Sequence, residues 1–250
     1  MLCKLIEKNE IAPNIFDFTV ECPVEPNAKP GQFLHVKCGG TTFLRRPISI
    51  CDAYDNKLRF IFEIRGEGTR ELAKVEVGVT LDMLVPLGRG FDLDLAQTDG
   101  DIIVIGGGIG TFPLLCLAKS LEQRARAPIA ILGYRTEELI TLTGAFTAVC
   151  KDVHIATDDG SFGHKGFVTD VLADIIKTNK IAAIYTCGPK MMMKCVAETA
   201  KENNIPCQVS MEERMACGIG ACVTCTCGVA GLNVRVCKDG PIFDAELIDW

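Results

Sequence analysis

The stretch Met211-Glu212-Glu213-Arg214-Met215-Ala216-Cys217-Gly218-Ile219-Gly220-Ala221-Cys222-Val223-Thr224-Cys225-Thr226-Cys227, with Cys237 further on, decides how the rest of the chain is read. Cys217, Cys222 and Cys225 stand in C-x4-C-x2-C spacing. Three thiols this close along the chain can wrap a small inorganic core from one tight loop. A fourth can arrive from a later strand at any spacing. Gly218 and Gly220 lie between the first two cysteines. There a backbone at positive φ lets amide N–H groups approach sulfur without a Cβ in the way.

The spacing is the plant-type one of [2Fe–2S] clusters, with Cys217, Cys222, Cys225 and Cys237 as the four ligands. A structural zinc site generally uses two short C-x-x-C pairs. Here a single pair follows a cysteine five residues earlier, which favours the cluster over zinc or free thiols. Cys225 and Cys227 alternate as on a strand and point to opposite faces. Cys225 is therefore read as the ligand and Cys227 as a buried thiol. A [2Fe–2S] cluster moves one electron at a time, so the remaining chain is expected to hold whatever trades with it.

The chain has 250 residues, 48% of them hydrophobic, enough for one or two packed domains with a small appendage. A net charge of −6 argues against a nucleic-acid backbone binder and offers no basic face to a membrane. Met1-Leu2-Cys3-Lys4-Leu5 does not read as a signal peptide. The uncharged run Ile102–Ala118 contains glycines and a proline, and reads as strand–loop–helix rather than a membrane span. Most of the fourteen cysteines outside the ligand pattern sit in apolar runs, among them Cys116, Cys150 and Cys195. Buried reduced thiols in a cytoplasmic protein are expected. His35, His154 and His164 share no spacing with one another or with carboxylates, and are read as ordinary core or surface residues.

Before about residue 95 the pattern is strand-like. Phe16–Val20, Gln32–Val36 and Leu58–Ile64 are β-rich and partly alternating, separated by turns at Pro23–Pro30, Gly39-Gly40 and Asp55-Asn56. Short antiparallel strands without helices suggest a barrel or a sandwich. Arg46-Pro47-Ile48-Ser49 offers a guanidinium fork of the kind that suits a pyrophosphate. Gly66-Glu67-Gly68-Thr69 opens a helix, where backbone amides suit an anion. Leu84–Phe91 closes this unit, and the polar run Asp92–Gly100 marks a boundary.

Next, Asp101–Ile105 reads as a buried parallel strand ending in Gly106-Gly107-Gly108-Ile109-Gly110-Thr111-Phe112-Pro113 and a helix over Leu114–Leu121. The glycines do not form G-x-G-x-x-G. The second strand, Ile129–Leu132, runs into Gly133-Tyr134-Arg135 rather than an acidic residue. A generic Rossmann dehydrogenase is thereby disfavoured. Thr186-Cys187-Gly188-Pro189 follows a further strand at Ala182–Tyr185.

Taken in order, these motifs resemble the ferredoxin–NADP reductase superfamily. The resemblance implies an antiparallel β-barrel for FAD. There Arg46, Pro47, Ile48 and Ser49 meet the flavin, Gly68 and Thr69 cap its pyrophosphate, and Ile61, Phe62 and Glu63 line the ring. It implies an α/β parallel-sheet domain for NAD at Gly106, Gly107, Gly108, Gly110, Arg135, Gly188 and Pro189, with Cys187 as the catalytic residue where nicotinamide meets flavin. Asp158-Asp159-Gly160-Ser161 is expected to form a loop over the nucleotide.

The expected architecture is α+β and multidomain: a FAD barrel over residues 1–97, an NAD domain over 98–205 and a [2Fe–2S] domain over 206–250. The run Ser210–Cys222 with the later Val236-Cys237-Lys238-Asp239-Gly240-Pro241 resembles, within that superfamily, the electron-transfer subunits of class B dihydroorotate dehydrogenase. That resemblance implies an FMN-containing catalytic partner, two copies of each chain, and electrons passing from FMN through cluster and FAD to NAD⁺ in pyrimidine biosynthesis. Ferredoxin oxidoreductases and sulfide dehydrogenases share the motif order with a different lead-in to the cluster. A zinc or thiol-based regulatory protein is the reading from another class.

Overall fold

A computed structural model describes residues 1–23 and 27–250. The turn expected across Pro23–Pro30 includes residues 24–26, which lie outside the described residues. Among the described residues, β1 (Leu2–Ala12), β2 (Ile15–Glu21), β3 (Phe33–Val36), β4 (Arg46–Tyr54), β5 (Lys57–Glu63) and β6 (Thr80–Leu87) form a closed barrel in the order β1-β2-β5-β4-β3-β6. Closure removes the free edges that a sandwich of the same strands would leave. Alternation sends one face of each strand inward. Phe18, Phe60 and Phe62 fill the interior, with ring centroids 5.1–6.3 Å apart. Each such side chain contributes roughly 1.5–3 kcal/mol by leaving water. The short helix α1 (Glu67–Ala73) plugs one side with Leu72.

The second body is a sheet in the order β10-β9-β8-β7-β11-β12-β15. Its strands are β7 (Asp101–Gly107), β8 (Ile129–Tyr134), β9 (Asp152–Thr157), β10 (His164–Lys165), β11 (Ile181–Cys187), β12 (Cys207–Ser210) and β15 (Ile242–Asp244). All pairings are parallel except β12 with β15. The chain builds outward from β7 through β8 and β9, then returns to lay β11 on the other side of β7. The gap between β7 and β11 is therefore the topological switch point, where open α/β sheets bind ligands at their strand C-termini. The sheet also takes in β12 and β15, which belong to the stretch 206–250 that the sequence reading sets apart.

Helix α2 (Phe112–Glu122) is buried along nearly its whole length because it lies between this sheet and the barrel strand β4. Pro113 near its start costs no hydrogen bond there. On the other face lie α4 (Val168–Thr178), which buries Val168, Val171, Leu172 and Ile175, and α5 (Lys190–Glu202), while α3 (Thr143–Thr147) packs on the α2 side through Phe146. The expectation that Cys195 is buried is corrected. α5 turns Met193, Val196, Ala197 and Ala200 inward, and its 3.6-residue period leaves Cys195 exposed. Cys116 is buried as expected, and Cys150 only partly.

The last unit is small. β13 (Thr226–Val229) and β14 (Leu232–Arg235) form a hairpin through Ala230-Gly231, both at positive φ as a tight primed turn requires. α6 (Val236–Asp239) follows. Its core joins Val209, Met211, Val236 and Ile248 to Phe33 of the barrel and to Met193 and Ala197 of α5. The unit thus sits against both other bodies. Among the described residues no helix is long and apolar enough to cross a membrane.

Candidate functional site

Arg46 opens β4 and Gly68 lies in the first turn of α1. The guanidinium rests on the glycine, where a Cβ would stand 2.5 Å from Arg46 Nε. Arg46 Nη1 donates to the carbonyl of Leu44 at 2.5 Å. Thr69 Oγ1 accepts the N–H groups of Arg65 at 2.9 Å and Gly66 at 3.2 Å, which secures the turn before the helix. Arg46, Gly68 and Thr69 are thereby brought together as a cationic cradle that any side chain at 68 would fill, and its chemistry suits a pyrophosphate. On β4, Ile48 points into the barrel while the neighbouring Pro47 and Ser49 are more open. On β5 the three expected residues diverge. Ile61 is buried with Cys51 and Phe112 between barrel and sheet. Phe62 is in the barrel core, 5.1 Å from Phe18, and Glu63 pairs with Arg65 at 2.7 Å.

The glycine turn and the Cys187 turn meet at the switch point. Cys187 pairs with Gly106 in register. A Cβ on Gly110 would stand 2.4 Å from the Cys187 carbonyl oxygen, and one on Gly107 would stand 2.6 Å from Met192 Sδ and 2.9 Å from Pro189 Cδ. Gly188, at φ +156°, lies against Gly107 in turn. By contrast Gly108, at φ +54°, faces open space. Two strand ends are pressed together at the switch point with Gly108 open beside them, the place where open α/β sheets take nucleotides. Arg135 is exposed beyond β8. Its carbonyl accepts the Asp159 N–H at 3.3 Å, which brings the Asp158–Ser161 loop beside it. Ser161 donates to Asp159 Oδ1 from its Oγ at 2.6 Å and from its backbone N–H at 2.9 Å, and these two bonds hold the Asp159 carboxyl below its ordinary range.

Two residues at Cys187 carry no motif of their own. Burial pushes the Cys187 thiol up to about 12, while a hydrogen bond with Ser210 opposes this and the Glu212 carboxylate adds to it. The thiol is therefore neutral at physiological pH, a small polarisable wall rather than a nucleophile. Ser210 ends β12, opposite Cys187 in register. Its position and that of Glu212 follow only from the pairing of β11 with β12.

The cysteine loop turns as its glycines suggest, with Gly218 at φ +71° and Gly220 at φ +85°. Amides aim at sulfur: Ile219 and Cys222 N–H groups approach Cys217 Sγ at 3.5 and 3.4 Å, and the Cys237 N–H approaches Cys225 Sγ at 3.4 Å. Thr224 and Cys217 pull the Cys222 thiol down to about 6, towards the thiolate that metal binding requires. The backbone bonds to sulfur group the cysteines as Cys217 with Cys222 and Cys225 with Cys237. Among the described residues no group of three or more His, Cys, Asp or Glu is placed to hold a single metal ion. Two thiol pairs with amides on their sulfurs fit a two-iron core. Cys227 lies on β13 among apolar side chains, and burial holds its thiol up.

His35, read as a core or surface residue, lies in the core. His35 on β3 is fully buried with its ring beneath the cysteine loop, and a Cβ on Gly218 would stand 2.5 Å from His35 Nδ1. No sequence spacing connects positions 35 and 218. His154 and His164 lie at the surface beside Asp152 and Asp170, at 3.1 and 3.6 Å.

Residues 212–249 match the family model for the iron-sulfur cluster binding domain of dihydroorotate dehydrogenase B, and residues 104–198 match the oxidoreductase NAD-binding domain. A dihydroorotate dehydrogenase B (NAD(+)) electron transfer subunit from Caldanaerobacter subterraneus subsp. tengcongensis is 38% identical over 250 residues, covering 98% of this chain and 97% of the relative. The one from Clostridium perfringens is 39% identical over 249 residues, covering 99% and 97%. Among solved structures, an NADH-dependent reduced ferredoxin-NADP oxidoreductase superposes with a TM-score of 0.90 at 30% identity, over 100% of this chain and 90% of that one. A ferredoxin NADP+ reductase from Neisseria gonorrhoeae with bound FAD and NADP shares the fold, with a TM-score of 0.71 at 19% identity over 81% and 90%.

Barrel, nucleotide sheet and cysteine loop in this order define an iron–sulfur oxidoreductase built on the ferredoxin–NADP reductase fold. The likeness to the curated relatives extends over both chains almost end to end. The chain belongs to the family of dihydroorotate dehydrogenase B (NAD⁺) electron transfer subunits.

Proposed function

We propose that this chain carries electrons between an FMN-containing dihydroorotate dehydrogenase subunit and NAD⁺, in an assembly with two copies of each chain. The observation that carries this reading is the cysteine loop seated against both the flavin-type barrel and the nucleotide sheet, in a chain of this family. When bound, FAD joins the one-electron steps of a [2Fe–2S] cluster to the two-electron hydride chemistry of NAD⁺. Arg46, Gly68 and Thr69 hold the FAD pyrophosphate, and Pro47 and Ser49 offer their open side to the flavin. Gly106, Gly107, Gly108 and Gly110 let the nucleotide approach the end of β7, with Gly188 and Pro189 closing the other side. Cys187 keeps its proton and excludes water where nicotinamide meets flavin. Cys217, Cys222, Cys225 and Cys237 hold the cluster.

The test is to express the chain with a candidate FMN-type partner from the same source and assay anaerobically. NAD⁺ reduction by dihydroorotate in the complex, and with neither chain alone, is the expected result. Flavin and cluster reducible by NADH, with no complex and no dihydroorotate activity, would overturn the partner. The function would then move to a ferredoxin-linked reductase like the solved structure at 30% identity.

A further inference from the structure

His35 lies where the flavin strand and the cysteine loop meet. On β3 it pairs with Pro47 of β4, inside the Arg46–Ser49 motif, and with Leu84 of β6. Its side chain is fully buried, and neither ring nitrogen has a hydrogen-bond partner among the described residues. The backbones of Arg45 and Cys217 both lie beside the ring, yet neither closes a bond of normal geometry. Gly218, the residue after Cys217, lies over the ring, so a Cβ there would be 2.5 Å from Nδ1 and 3.1 Å from Cγ. Imidazole carries at least one N–H donor in either protonation state.

A buried donor without an acceptor is costly, and native interiors seldom keep one. Here the orphan faces the loop whose sulfurs gain negative charge when a cluster is bound and reduced. Hydrogen bonds towards those sulfurs set iron–sulfur potentials. We propose that His35 is a positioning residue for electron transfer: its ring N–H serves Cys217 in the loaded cluster loop, and so stabilises the reduced cluster beside the flavin strand. The proposal rests on the cluster reading above.

The test uses the full chain purified anaerobically with its cofactors, titrated with dithionite in the presence of mediators, the cluster being read by EPR. His35→Leu keeps much of the volume and removes the donor, whereas His35→Gln keeps a donor. The expected result is at least a tenfold fall in the cluster's reduction equilibrium constant for H35L, 59 mV for one electron, with H35Q within threefold of wild type. Loss of the cluster in H35L but not in H35Q, at wild-type potential, supports the same role. A wild-type potential in H35L overturns it. Equal shifts in both variants, or loss of the cluster in both, reduce His35 to packing and overturn it too. A wild-type chain without a [2Fe–2S] signal would sink the cluster assignment itself and the proposal with it.

Discussion

Gly110 lies beneath the carbonyl of Cys187 so closely that a Cβ would stand 2.4 Å from its oxygen. The obstacle is backbone, not a flexible side chain, so Gly110→Ala must push the two strand ends apart. Misplacement by about an ångström at a reacting centre costs on the order of 100-fold in rate. Stopped-flow reduction of the flavin by NADH is expected to slow roughly 10- to 100-fold, with flavin and iron content unchanged. A wild-type rate in G110A would show that the crevice between β7 and β11 is not where the nicotinamide acts.

The flavin cradle makes a parallel prediction. Gly68→Ala places a methyl 2.5 Å from Arg46 Nε and displaces the guanidinium from the helix start. Arg46→Lys keeps the charge but loses the fork. Both variants are expected to bind FAD about tenfold more weakly or worse, about 1.4 kcal/mol. Fluorescence titration of the flavin-stripped chain measures this. Cluster content, read by absorbance, should stay at the wild-type level.

Cys225 and Cys227 both lie in the apolar core of the last unit, but only Cys225 has its Sγ approached by a backbone N–H, that of Cys237, among the described residues. Cys225→Ser should abolish or grossly alter the [2Fe–2S] EPR spectrum. Cys227→Ala should leave it intact and cost about 1 kcal/mol of stability, the scale of a small buried truncation. The reverse pattern would exchange the two roles.

Lys119 of α2 pairs with Asp52 of β4, whose side chain is almost entirely buried. The pair fastens the nucleotide sheet to the barrel. Lys119→Met strands a carboxylate in a mostly buried place, and is expected to destabilise by about 1–3 kcal/mol. Adding Asp52→Asn removes the stranded charge and should recover part of the loss. Urea denaturation followed by tryptophan-independent circular dichroism would give both values, and an unchanged midpoint in K119M would remove the pair from the list of interdomain fastenings.

Stability should fall in alkali for a reason visible at the same junction. Burial pushes the Cys116 thiol from its ordinary value of 9.0 up to about 12, and pushes Cys51 upward as well. A folded-state value raised above the unfolded one gives stability that is complete below pH 9 and is lost as pH rises towards 12. The unfolded chain releases the proton first. The slope is about 1.4 kcal/mol per pH unit for each thiol over that interval. Comparing denaturation midpoints between pH 8 and 11 for wild type and Cys116→Ala should show a shallower decline in the variant. Parallel declines would mean that the Cys116 thiol ionises freely in the folded chain.

Sequence alone determined the parts whose chemistry is local. Metal ligation from a tight loop imposes C-x4-C-x2-C with intervening glycines, and Gly218 and Gly220 indeed take positive φ. The strands Phe16–Val20 and Leu58–Ile64 were legible from their β-rich, partly alternating residues, although both faces are buried at their centres. The two glycine-bearing turns were legible because each joins a strand to a helix. Tertiary structure alone decided what these parts face. Phe62 lies one residue from Ile61, yet its ring goes to the barrel core. Ser210 and Glu212 reach Cys187 only because β12 lies against β11. His35 meets the cysteine loop across most of the chain, and β15 leaves the last unit to extend the nucleotide sheet. Strand pairing and docking join segments far apart in sequence by non-directional burial and by hydrogen bonds that every backbone can make. Such contacts leave no spacing to read, and they exist only once the chain has folded.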